Sequence, residues 1–381
     1  MFELPSALPA DWQDGTFIGR VDLGAGPSPI VIQNGRARDI SRSAPTVSQA
    51  IELGNPVLIN GEDLGPVNEL GLVPPGGQGA RILSPIDLQA VKASGVTFAV
   101  SALERVIEES ARGDPAVAAS IRSRLEQRIG AGIKTVVPGS PEAEALKAAF
   151  IEEGVWSQYL EVAIGPYAEI FTKSQPLSTV GWGAEVGVRP DSAWNNPEPE
   201  VVLIVNASGR AVGATLGNDV NLRDIEGRSA LLLGKAKDNN ASCSLGPLIR
   251  LFDEGFTMDD VRAMEIALNV SDATRSVLDG SSSMKQISRD PDELIAQTMS
   301  EHCYPDGFAL FLGTLFAPSQ DRDEPGLGFT HKVGDIVRIS TPLLGTLENR
   351  VATTNTVAPW TFGIGKLMSN LAARGLLGTG L

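Results

Sequence analysis

The chain has very few of the residues that would mark a disulfide-bonded, nucleic-acid-binding or membrane protein. Its two cysteines, Cys243 and Cys303, cannot form a disulfide framework and are typical of a reducing cytoplasm. The net charge of −15 argues against nucleic acid or an anionic membrane surface as a partner. The N-terminus has neither the basic nor the apolar region of a signal peptide, and the longest apolar run, near Phe308 to Pro318, is too short to cross a bilayer. These absences predict a cytoplasmic protein. A small anionic substrate is still compatible with the negative net charge, because the charge at a binding site can differ from that of the whole chain.

Length and composition indicate an ordinary folded protein with more than one domain. Hydrophobic residues make up 42% of the chain and charged residues 20%, as in many globular proteins. A chain of 381 residues can bury a large core, and two domains are expected at this length. The 41 glycines and 25 prolines indicate many turns and therefore much β structure. We predict an α+β protein that is mostly β, with a smaller N-terminal α/β domain at residues 1–150 and a mostly β domain at residues 151–381.

Local patterns predict short strands near the N-terminus and helices after them. The strands are expected at Thr16–Leu23, Pro29–Gln33 and Val57–Asn60. Helical spacing and capping signals predict four helices, which are Pro85 to Lys92, Phe98–Ser110, Pro115–Ile129 and a helix that Ser140 caps and Gly154 ends. A T-x-x-D cap predicts a further helix at Thr257–Leu268. From Glu161 onward the rest of the chain is expected to be rich in β structure.

Two carboxylates at the start of a buried strand form the most informative pattern. Glu198 and Glu200 are two residues apart, so both point to one face of the strand. Val201–Val205 is apolar on both faces and predicts a buried strand, and Ala211–Leu216 predicts a return strand that leads to Asp219. Three neighbouring carboxylates would repel one another, whereas a hard divalent cation would neutralise them and keep positions open for substrate and water. The alternative is a solvated strand edge.

Several short motifs between Glu169 and Val351 carry a resemblance to a known family. In chain order they are Ile170-Phe171-Thr172-Lys173, Pro197-Glu198-Pro199-Glu200, Gly217-Asn218-Asp219-Val220 with Arg223-Asp224, Lys237 with Ser242-Cys243-Ser244-Leu245-Gly246-Pro247, Leu312-Gly313-Thr314, Gly334-Asp335-Ile336-Val337 and Gly345-Thr346-Leu347-Glu348-Asn349. In order and spacing, this half of the chain resembles the fumarylacetoacetate hydrolase family. The resemblance implies a mixed β-sandwich roll that assembles as a homodimer or homotetramer.

The resemblance also implies the contents of a site. A Mg2+ ion, which Mn2+ or Ca2+ could replace, would be held by Glu198, Glu200 and Asp219. The residues expected at the binding site of a small-molecule 2-keto acid are Lys237, Thr314, Gly313 and Lys173. Thr314 could instead be a turn-forming threonine, and Lys173 could be an ordinary surface lysine.

One departure from the family changes the expected reaction. Family hydrolases resemble one another in a lid histidine that activates water. The two histidines of this chain, His302 and His331, both follow the metal motif, and the segment at the lid position, VWSQYLEVAIGPYAEIFTK, has none. The phrase EGRSALLLGKAKDNNASC is similar to the 2-keto-3-deoxypentonate dehydratases of the family, which implies formation of 2-oxoglutarate semialdehyde in D-xylose or L-arabinose degradation. The alternatives are a Mg2+-dependent hydrolase of a diketo acid and a non-enzymatic scaffold with a structural cation.

The residue inventory is consistent with elimination of water. A 2-keto acid can chelate Mg2+ through its carboxylate and its ketone oxygen, which makes the C3 protons more acidic. Lys237, in a loop rich in glycine and asparagine, can oppose the charge that develops on the ketone oxygen. An acid and a base are also needed, and Glu169 is the first candidate, with Glu161 and Tyr159 after it. The alternative for Glu169 is a charged strand edge.

Overall fold

Two β-sheets form the framework of the protein. The computed structural model describes residues 4–110, 115–129, 136–316, 320–323 and 328–378. The strands are β1 Phe17–Asp22, β2 Pro27–Gln33, β3 Arg36–Asp39, β4 Glu62–Pro66, β5 Arg81–Ile82, β6 Ala90–Gly95, β7 Glu169–Ser174, β8 Glu185–Val188, β9 Pro199–Val205, β10 Ala211–Asp219, β11 Cys243–Leu251, β12 Glu265–Ser271, β13 Ser276–Ser283, β14 Phe308–Phe311, β15 Ile336–Thr341 and β16 Gly345–Thr353.

The larger sheet joins strands from distant parts of the chain. Its order is β4-β3-β2-β1-β11-β10-β9-β14-β6-β7, and β5 also pairs with β1. The smaller sheet has the order β13-β12-β15-β16-β8. Most pairs are antiparallel, but β14 with β6 and β16 with β8 are parallel. The prediction of an α+β protein that is mostly β is therefore confirmed.

The helices lie outside the sheets, and four of them form an apolar cluster of their own. The helices are α1 Val47–Glu52, α2 Ala99–Ser110, α3 Pro115–Ile129, α4 Pro141–Glu152, α5 Gln158–Ile164, α6 Arg223–Glu226, α7 Leu233–Lys237, α8 Met258–Arg262, α9 Pro291–Met299 and α10 Ile364–Ala373. Helices α2 to α5 bury Leu103, Leu125, Phe150 and Leu160 against one another. None of the described helices has the combination of length and apolar character that a membrane span needs.

Strand β9 runs through the centre of the core and is buried along its whole length. Val201 and Leu203 belong to one apolar cluster, and Val202 and Ile204 belong to another on the opposite face of the sheet. Burial on both faces explains the uninterrupted apolar run in the sequence. Because side chains alternate along a strand, Glu200 shares its face with Val202 and Ile204.

Several predicted elements differ from those observed. Residues Pro85 to Lys92 do not form a helix, because the segment leads into β6, which pairs with β14 and β7. Val57–Asn60 is not a strand, since Pro56–Leu58 forms a 3-10 turn that Asn55 caps. The capping box at Thr257 is present, but its helix α8 ends at Arg262 and the chain continues as β12. Beyond Glu161, α5 continues to Ile164 before the β-rich part begins.

The two predicted domains share the larger sheet. Strand β1 from the N-terminal part pairs with β11, with Ile18 opposite Ile249. Strand β6 lies between β14 and β7, both of which come after residue 150. The division into two domains at residue 150 stays a prediction. Strands from before and after residue 150 are hydrogen-bonded to each other in the larger sheet.

Candidate metal centre

The hairpin of β9 and β10 brings the three predicted carboxylates together. Glu200 lies opposite Gly217 in the register of the hairpin, and the Asp219 N–H donates to the Glu198 carbonyl oxygen over 3.1 Å. As a result, one carboxylate oxygen from each of Glu198, Glu200 and Asp219 lies within 4.8 Å of the other two. The turn between the strands and a register shift between Ala211 and Gly213 together set the pairing that makes the convergence possible.

Burial gives these carboxyl groups unusual pKa values. Glu200 is 2% exposed and Asp219 is 1% exposed. Burial, with help from the charges of Asp219 and Glu198, raises the pKa of Glu200 well above its usual range. Burial also raises the pKa of Glu198 to about 7, although Lys237 opposes the shift. For Asp219, burial favours the neutral form, but Lys173 and Lys237 outweigh it and lower the pKa.

Two lysines balance part of this negative charge. Lys237 Nζ lies 2.5 Å from Glu198 Oε2 and 3.1 Å from Asp219 Oδ2. Lys173 Nζ lies 2.8 Å from Asp219 Oδ1, and it donates to the Val220 carbonyl oxygen and to the Lys237 carbonyl oxygen. Lys173 has no exposed surface, so it is not the ordinary surface lysine that the sequence left open. Lys237 is the last residue of the short helix α7 and not a loop residue.

Gly313 fixes the orientation of Glu200. The Gly313 N–H donates to Glu200 Oε2 over 2.6 Å. Gly313 has a φ of 87°, a conformation that favours glycine, and a Cβ atom there would overlap Thr97 Oγ1. Thr314 is half-buried, and its Oγ1 accepts a hydrogen bond from the Phe316 N–H over 3.1 Å. The turn geometry expected for Thr314 is thus present, and substrate contact by its hydroxyl group stays a prediction.

Three side chains of β7 lie near this cluster, those of Lys173, Phe171 and Glu169. Lys173 contacts Asp219, and the ring centre of Phe171 lies 5.9 Å from Lys237 Nζ. Glu169 is next on the same face. Burial raises the pKa of Glu169, and the charge of Glu226 raises it further while Lys237 lowers it. Glu169 therefore lies within electrostatic reach of the centre.

Asn221 and Glu226 belong to the centre but were not found from the sequence. Asn221 Nδ2 donates to Glu198 Oε1 and to Glu226 Oε2, over 2.8 Å in each case. Glu226 lies at the end of α6, one short helix after Asp219. Glu226 is too far from Glu198 and Glu200 in the sequence to be recognised as part of the same pattern. A prediction of the short helix after Asp219 is the only signal that could have indicated that Glu226 lies near the site.

The other candidates lie elsewhere. Glu161 pairs with Lys147, with 2.7 Å between Oε2 and Nζ, and Tyr159 on α5 is 41% exposed. His302 stacks on Tyr304 with ring centres 4.5 Å apart. His331 is buried, with Nδ1 3.7 Å from Asp335 Oδ2. The sequence therefore identified the carboxylate cluster. Glu161 and Tyr159 both lie on helix α5, and their ranking behind Glu169 as acid or base stays a prediction.

The donor set fits a hard divalent cation. Carboxylate oxygens are the ligands that Mg2+ prefers, and three of them from two adjacent strands can occupy one side of an octahedral shell. Buried carboxylates of this kind are costly unless a positive charge compensates them. Residues 155–352, just over half of the 381 residues, match the family description "Fumarylacetoacetate (FAA) hydrolase C-terminal". The chain belongs to the fumarylacetoacetate hydrolase family.

Two relatives in the family are named as dehydratases. A Haloferax volcanii protein described as "Probable 2-keto-3-deoxyxylonate dehydratase" is 31% identical over 202 residues, which is 53% of this chain and 66% of that protein. A 2-dehydro-3-deoxy-D-arabinonate dehydratase from Saccharolobus solfataricus is 31% identical over 218 residues, which is 57% of this chain and 69% of that protein. The chain thus spans about two thirds of the length of each relative.

Solved structures share the fold. The apo form of a 2-keto-3-deoxy-D-arabinonate dehydratase is 22% identical with a TM-score of 0.64, and the match covers 88% of this chain and 98% of that one. The same kind of enzyme complexed with magnesium and 2,5-dioxopentanoate is 23% identical with a TM-score of 0.63 and the same coverage. These likenesses confirm the family fold that the sequence resemblance implied.

Proposed function

We propose that this protein is a Mg2+-dependent dehydratase that removes water from a 2-keto-3-deoxypentonate and forms 2,5-dioxopentanoate, the semialdehyde of 2-oxoglutarate. The observation that carries the proposal is the cluster of Glu198, Glu200 and Asp219 beside Lys237 and within electrostatic reach of Glu169. The names of the two relatives and the product bound to a structural neighbour support the same reaction class. We further propose a role in oxidative pentose degradation.

The reaction balances as the loss of one water molecule. A proton leaves C3 and the hydroxyl group leaves C4, which forms a double bond between these carbons. A proton from C5 and the proton of the C5 hydroxyl group then move to C3 and C4, so that C5 becomes an aldehyde. No external water is needed as a nucleophile, and the chemistry requires one or two groups that can hold and release protons.

The residues of this chain have distinct tasks in that reaction. Glu198, Glu200 and Asp219 would hold a divalent cation, which would supply Lewis acidity toward a bound 2-keto acid. The ammonium group of Lys237 opposes the negative charge that develops at the C2 oxygen when C3 loses its proton. Glu169 is the leading acid or base. Its raised pKa lets the carboxyl group hold a proton closer to neutral pH than an exposed glutamate would.

A direct assay tests the proposal. Purified protein with Mg2+ and a 2-keto-3-deoxypentonate should release an aldehyde, detected by coupling to an aldehyde dehydrogenase or by NMR. An acylpyruvate incubated in parallel tests the hydrolase alternative, because C–C hydrolysis would release pyruvate. Efficient release of pyruvate with the pentonate left unchanged would contradict the dehydratase proposal.

A further inference from the structure

The end of β6 contacts the candidate site from the N-terminal part of the chain. The chain bends at Val96 just after this strand, and we call residues Gly95, Val96 and Thr97 the β6 turn. Gly95 lies directly opposite Glu169 in the antiparallel pairing of β6 with β7. A Cβ atom on residue 95 would overlap Glu169 Oε2 and lie 2.8 Å from its Cδ. The Glu169 carboxylate therefore occupies the space that any side chain at position 95 would need.

The need for glycine at position 95 comes from this space and not from the backbone. Gly95 ends strand β6 and is not among the residues with positive φ. Alanine could adopt the same backbone conformation, so what it would displace is the carboxyl end of the flexible Glu169 side chain, which would have to move to a new position. A glycine within a strand often marks such a close approach of another group.

The rest of the β6 turn holds a second part of the site. Val96 has a φ of 53°, which is uncommon for a β-branched residue. Thr97 Oγ1 donates to the Leu312 carbonyl oxygen over 2.7 Å. That contact fixes the chain just before Gly313, whose N–H donates to Glu200 over 2.6 Å. Strained backbone of this kind persists where the surrounding structure demands it, and it is frequent at functional sites.

We propose that the β6 turn is a positioning element of the active site and that Gly95 determines where the Glu169 carboxylate lies. The catalytic part of the inference rests on the proposed function, because Glu169 is the acid or base of that reaction. The steric part rests only on the pairing of Gly95 with Glu169. The N-terminal part of the chain thereby supplies no reacting group to the site. It leaves room for the Glu169 carboxylate at Gly95, and its backbone holds the segment before Gly313 through Thr97.

A pair of glycine substitutions tests whether Gly95 affects catalysis by positioning Glu169. Gly95→Ala should lower kcat by about 10²-fold, because a displacement near 1 Å of a catalytic group has an effect of that order. KM should stay within about threefold, since the carboxylate cluster that would hold the substrate through the cation is unchanged. The matched control is Gly19→Ala on β1, where a Cβ would lie 2.5 Å from Leu248 Cδ2. Gly19→Ala should keep kcat within about twofold.

A double-variant cycle tests the steric cause without relying on activity. Gly95→Ala should lower the Tm by at least about 2 °C in the wild-type chain. In Glu169→Ala, which removes the atoms that block position 95, the same substitution should leave the Tm unchanged. If Gly95→Ala alone does not fold, the double variant should fold and Glu169→Ala should fold as well.

The outcomes of these experiments separate the steric part of the inference from its catalytic part. An equal loss of Tm in both backgrounds, or failure of both Gly95→Ala proteins to fold, would overturn the positioning role. Wild-type kcat and KM in Gly95→Ala would overturn it too. If the wild-type protein has no dehydratase activity, the proposed function fails while the Tm cycle still decides whether Gly95 positions Glu169.

Discussion

At the scale of single residues, charge balance describes the candidate centre best. Three carboxylates, from Glu198, Glu200 and Asp219, face two ammonium groups, from Lys173 and Lys237. When all five are ionised, one negative charge remains. A divalent cation would reverse that balance to one positive charge, and a bound 2-keto acid with one carboxylate would cancel it. These five groups with a cation would thus suit an anionic substrate. Glu226, which Asn221 links to Glu198, adds a further negative charge beside them, and the whole chain carries a net charge of −15.

Replacement of one predicted ligand tests the metal centre. Glu200→Gln keeps the size and an acceptor for the Gly313 N–H but removes a negative charge from the cluster. We expect dehydratase activity to fall by more than about 10²-fold, since even outer contacts of metal ligands change activity by 10- to 100-fold. Titration with Mn2+, followed by electron paramagnetic resonance, should show weaker binding, while the Tm changes little. The control is Glu185→Gln at an exposed position of β8. Full activity after EDTA treatment would contradict a metal-dependent reaction.

A second substitution separates binding from turnover. Lys237→Met removes a positive charge next to two of the expected ligands, Glu198 and Asp219. Mg2+ affinity should therefore stay the same or increase, whereas kcat should fall by about 10²- to 10³-fold because the charge at the C2 oxygen loses its counter-charge. Lys235→Met, two residues earlier and exposed, is the matched control. A loss of Mg2+ affinity in proportion to kcat would assign Lys237 to metal binding instead.

The buried side chain of His331 should make the free energy of unfolding depend on pH. Burial lowers its pKa below 6.5, and the partial compensation by Asp335 does not reverse the shift. The unfolded chain therefore binds this proton at a higher pH than the folded chain, so His331 stabilises the fold at pH above about 6.5 and this contribution is lost as the pH falls below it. The slope contributed by one proton approaches 1.4 kcal/mol per pH unit. In urea titrations between about pH 6.5 and 5, His331→Gln should lose less free energy of unfolding than the wild type. Equal slopes would contradict the buried neutral imidazole.

At the scale of elements, local signals predicted some segments and missed others for identifiable reasons. Helix α3 matches its predicted range of Pro115–Ile129, and Ser140 caps α4 as expected, because capping and apolar spacing act within a few residues. The hairpin of β9 and β10 was also predicted. The segment from Pro85 to Lys92 was predicted as a helix but leads into strand β6, whose conformation depends on β14, more than 200 residues away in sequence. Separation in sequence likewise explains why no local pattern could connect Gly95 with Glu169, because the two residues lie on different strands that pair only in the folded protein.

The loop after β14 should be sensitive to a single methyl group. Gly313→Ala places a side chain at a φ of 87° and against Thr97 Oγ1. Gly334→Ala is the matched control, because Gly334 has a φ of 96° and no atom within 4 Å of its Cβ position. The control should lose about 1 kcal/mol of unfolding free energy from backbone strain alone, and Gly313→Ala should lose more, about 2–4 kcal/mol. Denaturant titrations measure both, and equal losses would show that Thr97 yields easily.

At the scale of the whole molecule, the larger sheet makes the fold a shared product of both halves of the chain. The family resemblance concerned the later half and indicated its architecture, while the pairing of β1 with β11 and of β6 with β14 could not be predicted from patterns within either half. The homodimer or homotetramer implied by the resemblance stays a prediction.

The shared sheet predicts the fate of a fragment. A chain restricted to residues 155–352, the region that matches the family, would lose β1 and β6 and leave the edges of β11 and β14 unpaired. Unpaired edges with apolar faces promote association between chains. We expect this fragment to aggregate or to show little cooperative unfolding by circular dichroism, and co-expression with residues 1–154 to restore soluble material. A fragment that unfolds cooperatively and stays monomeric would show that the later half folds alone.

The two cysteines differ in access in a way that is useful at the bench. Cys243, at the start of β11 and opposite Asp219, is buried, and burial raises the pKa of its thiol, so it is protected from alkylating reagents. Cys303 is exposed in the segment before β14. A maleimide fluorophore should therefore attach to Cys303 in the folded wild-type protein, and Cys243 should react only after denaturation. The protein thus carries a ready position for fluorescence measurements of unfolding or association, without any engineered substitution.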